Sequence, residues 1–499
     1  MTGLDDIIHT LSKEEGKQFT LFLEKKNKRK DAKNIQLFRL ISQGELSFEE
    51  ISKKIYKSPN KTALYALRKR LYQSIIDFTA NNSIEDEGSI DMQIIKYVLA
   101  ARNYFTRGHY KMGYKILDKA ELIANEHQLY TLLNEIYHTK IQYSYKNQAL
   151  HIETLIEKFK QNQHLYNLDE ALNIAYAKIR LNIKEVLHKG AAIDFQLLVE
   201  DTFKEHQINS DDALSFKSLY QLITIASLSA FASKDYFKIE PFLLSKYTIL
   251  KDHKSKEKQL YYHIYVLYHI ANTLFRNKKF TESSQYLALM HEHMLLKKKK
   301  YYSSFNAKYH LLMGLNKNYT NSSFDAIEIF ESFVSKKHPD LSSLLDIYLS
   351  LIMCYFQKNE LKKAIRLFSK FYHTDKWYIE KAGKEWTIKK NLIEILLHLE
   401  IGNLELFESR LLSFKRSYYQ HLADIGQQRA ITYLSFIEEY YKDPSSVTSQ
   451  EFRTKVESSF EWTASIQEDI FVMSFYAWLK SKMYKTSLYE TTLRIVHQK

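Results

Sequence analysis

Turns that need a left-handed or pre-bent backbone draw on glycine, proline and Asn-Gly pairs. This chain of 499 residues holds only 11 glycines and four prolines. β-Hairpins are thereby excluded as the main building unit, and the reading left is helices joined by short polar turns. Apolar residues make up 45% of the chain, enough to bury a core, so global disorder is excluded as well. The length admits several ordinary domains or one elongated array. The expected fold class is all-α.

A pattern of paired helices recurs along the chain. In 348–371, Tyr348, Leu351, Ile352 and Tyr355 mark a first helix, Asn359-Glu360-Leu361 a tight turn, and Ala364, Phe368 and Phe371 a second helix. The template returns at 97–120 with Tyr97, Ala100, Ala101 and Tyr104, the turn Gly108-His109-Tyr110, then Gly113, Leu117 and Ala120. It returns at 267–290 with Ile270, Ala271 and Leu274, the turn Lys278-Lys279-Phe280, then Ser283, Leu287 and Met290. Residues 310–333 supply Met313, Gly314, Ala326, Phe330 and Phe333. Weaker copies place Ile239 after Asp235-Tyr236 and Phe407 after Gly402-Asn403-Leu404. From Ile239 the equivalent positions Ser283, Ala326, Ala364 and Phe407 follow at 44, 43, 38 and 43 residues. The 126 residues from Gly113 to Ile239 leave room for two degenerate units. A small residue at this position lets two helix backbones approach closely, a rule from which Ile239 and Phe407 depart.

Over about 90–480 this pattern resembles the tetratricopeptide repeat (TPR). The resemblance implies a right-handed superhelical solenoid of antiparallel helix pairs, with a period of about 38–44. It also implies a concave groove, lined by first helices, that takes a peptide or protein partner. In the best unit the first-helix residues between core positions are Asp346, Leu349, Met353 and Gln357, and these are the candidate groove lining. The 37 tyrosines suit long, half-wet seams between helices, or an aromatic binding face.

Residues 1–80 form a separate basic helical head, 81–89 a linker, 90–441 the repeats, 442–449 a loop and 450–499 capping helices, with Trp462 and Trp478 as cap fillers. Within the head, a short helix capped by Ser47 precedes the turn Ser58-Pro59-Asn60 and a long helix from 61 to 80. This resembles a helix-turn-helix with a lengthened turn. Leu64, Leu67, Leu71, Ile75 and Phe78 make its apolar stripe, and Lys61, Tyr65, Arg68, Lys69 and Tyr72 a basic-aromatic flank suited to nucleic acid. The plainer alternative is a helix whose tyrosine stems cover the first repeat while its cations stay in water. The layout is similar to bacterial peptide-sensing transcription regulators and to uncharacterised bacterial repeat proteins.

The net charge of +14 sits in two places. Residues 1–80 hold 16 basic and 10 acidic side chains and residues 251–310 hold 12 and 4, which together account for the whole excess. Lys297, Lys298, Lys299 and Lys300 form the densest run, read as a solvated turn or as an anchor for an anionic partner.

The chemistry of known enzyme motifs is missing. Gly108–Lys115 has two glycines, but Tyr114 stands where a phosphate-binding loop needs lysine. His291 and His293 diverge by about 200° on a helix and cannot share one metal. The lone Cys354 lies in an apolar run, which fits a buried thiol and a reducing compartment. Met-Thr-Gly-Leu-Asp-Asp has no leader character, and the longest uncharged stretches, 16 and 17 residues, are short of the roughly 20 that span a bilayer. The expectation is a cytoplasmic, non-enzymatic scaffold that binds a protein or peptide. It has no cofactor, metal, small-molecule substrate or membrane partner. The alternative is a nucleic-acid-associated transcriptional regulator.

Overall fold

The computed structural model describes residues 3–497 except 12, 27–32, 45, 86–89, 147–150, 190–194, 209–214, 234, 253–255, 257, 335–339, 426 and 460–469. Among the described residues there are 25 α-helices and no strand. They fall into two compact units, 1–162 and 163–499. The first contains α1 (Gly3–Thr10), α2 (Lys13–Lys26), α3 (Lys33–Gln43), α4 (Phe48–Tyr56), α5 (Lys61–Glu85), α6 (Ile90–Thr106), α7 (Tyr110–Glu126) and α8 (Tyr130–Gln142). The helix α9 (Ile152–Lys189) runs from one unit into the other. The second continues with α10 (Phe195–Glu205), α11 (Phe216–Ser233), α12 (Tyr236–Lys251), α13 (Leu260–Arg276), α14 (Phe280–Lys299), α15 (Tyr302–Tyr319), α16 (Ser323–Val334), α17 (Leu341–Gln357) and α18 (Leu361–Phe368). It closes with α19 (Asp375–Ala382), α20 (Lys384–Ile401), α21 (Leu404–Asp424), α22 (Gln428–Lys442), α23 (Gln450–Ser459), α24 (Ile470–Tyr484) and α25 (Leu488–His497).

The head has a core of its own. Leu4, Phe19, Leu37, Leu64, Leu71 and Ile75 form one buried cluster, separate from the cluster of Ile94, Ala101, Leu117 and Ile136 that starts the repeats. Ser47 caps α4 in a reciprocal box: its backbone N–H donates to Glu50 Oε2 at 2.7 Å, and the Glu50 N–H donates back to its hydroxyl. Helix α5 stays helical to Glu85, into the expected linker, whose residues 86–89 lie outside the described residues.

The paired helices meet through one turn chemistry. Two residues before the second helix, Gly108, Lys278, Asn321, Asn359 and Gly402 all have left-handed backbones, φ between 59° and 82°. The next N–H reaches back five residues, as in His109 to the Tyr104 carbonyl at 2.9 Å and Glu360 to that of Tyr355 at 2.8 Å. This bond satisfies a carbonyl that the helix end leaves bare. The second helix then begins at once, so Gly113, Ile239, Ser283, Ala326, Ala364 and Phe407 are all its fourth residue. All but the half-buried Ile239 are fully enclosed. At Gly113 a Cβ would lie 2.3 Å from the Phe105 ring. At Ser283 the hydroxyl donates to the Ala271 carbonyl at 2.8 Å.

In the second unit each first helix packs on its own partner and on the next first helix: α11 on α13, α13 on α15, α15 on α17, and α17 on α20. Tyrosines fill those seams, Tyr220 against Tyr262 at 4.8 Å and Tyr261 against Phe305 at 5.2 Å between ring centres. The interval between Gly113 and Ile239 is occupied differently. Early in α9, Leu155 and Phe159 join the cluster of α8, while Leu168, Leu172 and Ala175 pack with Phe203 of α10 and Leu222 of α11. The part of α9 before 163 thus packs in the first unit and the part after it in the second.

The last hairpin turns back into the array. Helix α24 is enclosed through its middle, where Met473, Phe475, Ala477, Trp478 and Leu479 are all buried, while Val472 and Tyr484 are exposed. Gln357 donates to Ser474 Oγ at 3.2 Å, and Tyr489 donates to the Asn318 carbonyl at 2.7 Å. Trp478 donates its indole N–H to Glu400 at 2.7 Å. Trp462 lies outside the described residues.

Gly113→Ala is expected to lower stability by about 1–3 kcal/mol through overpacking against Phe105, although Ala is worth about 1 kcal/mol over Gly in an open helix. Adding Phe105→Leu should recover part of the loss in thermal unfolding. Acid acts on α13. Burial lowers His263 to about 4, with His293 adding repulsion at 4.4 Å between rings, and lowers His269 to about 3. Both folded values lie below the unfolded value of about 6.5, so stability is retained above that pH and lost on acidification, by about 1.4 kcal/mol per pH unit per histidine. In urea unfolding, His269→Phe should lose about 2 kcal/mol less than the native chain between about pH 7 and pH 4.5. An equal loss would show that His269 is not a source of the acid lability.

Candidate functional site

The second unit holds a cavity of about 480 Å³. Its wall combines Phe275 and Arg276 of α13, Leu311 and Leu315 of α15, Asp346 and Leu349 of α17, Trp386 and Lys389 of α20, and Ile470 and Phe471 of α24. Burial pushes the Asp346 carboxyl up to about 6, a rise moderated by the charges of Arg276 and Lys389. Lys389 pairs with Glu385 at 3.0 Å and lies 5.4 Å from the centre of the Phe471 ring. One carboxyl titrating near neutrality, a few cations and an apolar wall can orient a small segment by charge and contact.

Of the four candidate groove residues, Asp346 and Leu349 line this cavity and Met353 and Gln357 do not. Leu349, Met353 and Gln357 are all buried. The Gln357 amide accepts from Asn318 and donates to Ser474 of α24, so the chain's own helix holds that position. Lys384 and Lys389 are not among the candidate residues, and Ile470 and Phe471 line the cavity from α24, far along the chain. Trp377 is half-buried and stacks on His373 at 4.0 Å.

Next to α19 a polar cluster is internally satisfied. Asp375 accepts from Lys390 at 3.0 Å, Asn391 at 2.6 Å and Tyr418 at 2.8 Å. Burial would raise its carboxyl, but the Lys390 charge and these bonds bring it below the ordinary range. The arrangement pins α19 to α20 and α21.

On the head, the basic-aromatic flank loses its centre. Arg68 is 6% exposed, and one guanidinium nitrogen donates to both oxygens of Asp5 at 2.9 Å. It faces inward to α1, which corrects its place on a nucleic-acid face, and equally the expectation that the cations of this helix stay in water. Lys61 is exposed but pairs with Glu49 at 3.4 Å, and Tyr65 packs on Phe48 at 4.9 Å. Lys69 and Tyr72 are exposed.

Lys297, Lys298, Lys299 and Lys300 are all exposed, at a kink where φ is 47°, 55° and 61° for the first three. They break the end of α14, whose backbone is non-helical at Leu296, Lys297 and Lys298, and lead into α15. His291 and His293 face different neighbours, Tyr309 at 4.9 Å and His263 at 4.4 Å. Among the described residues no three His, Cys, Asp or Glu side chains are grouped to hold a metal ion. Cys354 is buried, which pushes its thiol up to about 12 and leaves it unreactive. Among the described residues no helix is long and apolar enough to cross a membrane.

No known family model, curated protein or solved structure matches the chain.

Asp5 is the counter-charge that makes the buried Arg68 tolerable. Asp5→Ala is expected to cost about 1–3 kcal/mol, because it strands a nearly buried cation while Asp5 itself is partly hydrated. Combining it with Arg68→Met should return most of that loss in a denaturant midpoint. A double variant as unstable as Asp5→Ala would contradict the pairing.

Proposed function

We propose that the chain is a non-enzymatic binding scaffold, a TPR-like right-handed superhelix of helix pairs that holds a short extended segment of a protein partner. The observation that carries this reading is the cavity beneath Ile470 and Phe471, where first helices of successive hairpins converge and the wall is mainly apolar with a few charged groups. Because α24 fills the neighbouring inner surface, the opening suits a peptide end or loop rather than an incoming helix. A preformed wall lowers the ordering cost of binding to that of the segment alone. The single, buried Cys354 is in keeping with action in a reducing, cytoplasmic setting. The regulator reading rests on Lys61, Lys69, Tyr65 and Tyr72 of α5, and the inward ion pair of Arg68 weighs against it.

Ser342 is exposed at the cavity rim. A photocrosslinking residue placed there is expected to capture one extended partner segment. A synthetic peptide of that segment should bind Ser342→Trp at least roughly tenfold more weakly than the native chain, with thermal unfolding unchanged. Equal affinity for both would remove the cavity as the binding site.

A further inference from the structure

At Gly108, Lys278, Asn321, Asn359 and Gly402 a single left-handed residue reverses the chain, but between α14 and α15 three successive lysines adopt that conformation. For residues with a Cβ this costs about 1–2 kcal/mol each, so the sequence keeps strained, charged side chains where glycine or asparagine would be easier. Directly before them, Leu295 and Leu296 are 42% and 48% exposed. Directly after them come Tyr301 and Tyr302, half-buried, with the ammonium groups of Lys300 and Lys299 5.4 and 5.9 Å from their ring centres. Tyr261 lies 5.5 Å from Tyr301, which brings the start of α13, just after Lys258, alongside the same tip.

Two bare leucines, four lysines and two tyrosines in sequence at an exposed tip form a graded surface. At a bilayer interface all three layers have a place. Leucines enter the acyl boundary, lysine stems lie along it with their charges at anionic headgroups, and tyrosines settle at headgroup depth. Against a nucleic acid the lysines would serve, but the leucine pair would gain nothing.

We propose that the 295–302 turn is a docking site for the surface of an anionic lipid bilayer, attaching the scaffold peripherally. This sets aside the expectation of no membrane partner, which rests on the lack of a spanning segment and does not bear on surface attachment.

Cosedimentation of the full chain with phosphatidylcholine vesicles, with and without about one-third phosphatidylglycerol, tests it. The native chain should pellet with the anionic vesicles and not with the neutral ones, and about 0.5 M salt should release most of it. Changing Lys297, Lys298, Lys299 and Lys300 together to Gln should lower the partition coefficient by roughly 100-fold or more. Leu295→Ser with Leu296→Ser should lower it roughly tenfold. These side chains are exposed, so both variants should keep the native melting temperature, and the two report independently. No pelleting with anionic vesicles would overturn the proposal, as would equal pelleting with neutral ones. So would an oligonucleotide that binds in a lysine-dependent way while the leucine pair proves dispensable, which would make the turn a nucleic-acid surface.

Discussion

The repeat depends on a single backbone event, a residue forced left-handed immediately after the first helix of a pair. Once Gly108, Lys278, Asn321, Asn359 or Gly402 adopts that conformation, the following N–H closes onto the carbonyl five residues back, and the next helix starts one residue later. The register between the two helices is then set before any side chain packs. Its fourth residue must face the first helix where the backbones are closest. That is why Gly113, Ser283, Ala326 and Ala364 are small. Phe407 is fully enclosed at the same place, as the fourth residue of its helix, so the register is kept there with a large residue.

Helix pairs made this way have an apolar side that only neighbours can cover. In the second unit α24 meets helices made much earlier in the chain. Its polar atoms find partners one by one: Ser474 with Gln357, Trp478 with Glu400, and Tyr489 of the next helix with the Asn318 carbonyl. Each bond removes a buried polar cost that an apolar contact alone would leave. The cavity next to Asp346 is what remains where α24 begins.

Most of the architecture was legible because it is local. Glycine and proline scarcity pointed to helices, and Gly108, Asn359 and Gly402 marked turns by their own conformational preferences. The spacing of Gly113, Ile239, Ser283, Ala326, Ala364 and Phe407 located the second helices to the residue. Ser47 marked a cap, which Glu50 completes. What escaped is non-local. Nothing around Arg68 says that Asp5 will meet it across 63 residues, or that Gln357 will find Ser474 across 117. Lys278 and Lys297 adopt backbones that their side chains do not favour, so the repeat template and the charge run mark those turns rather than propensity. The candidate groove was read from one unit of the repeat, whereas its occupant came from a helix that shows no repeat pattern.

The return of α24 has a bearing on how the chain is made. Tyr319 meets Ser474 across 155 residues, so α15 and α17 leave the ribosome long before the helix that covers them. Until then a nascent chain leaves Tyr319 and Gln357 without these partners, and such long sequence separation slows the closing step. The hairpins can form pairwise as they emerge, but the array becomes watertight only when its late helix arrives.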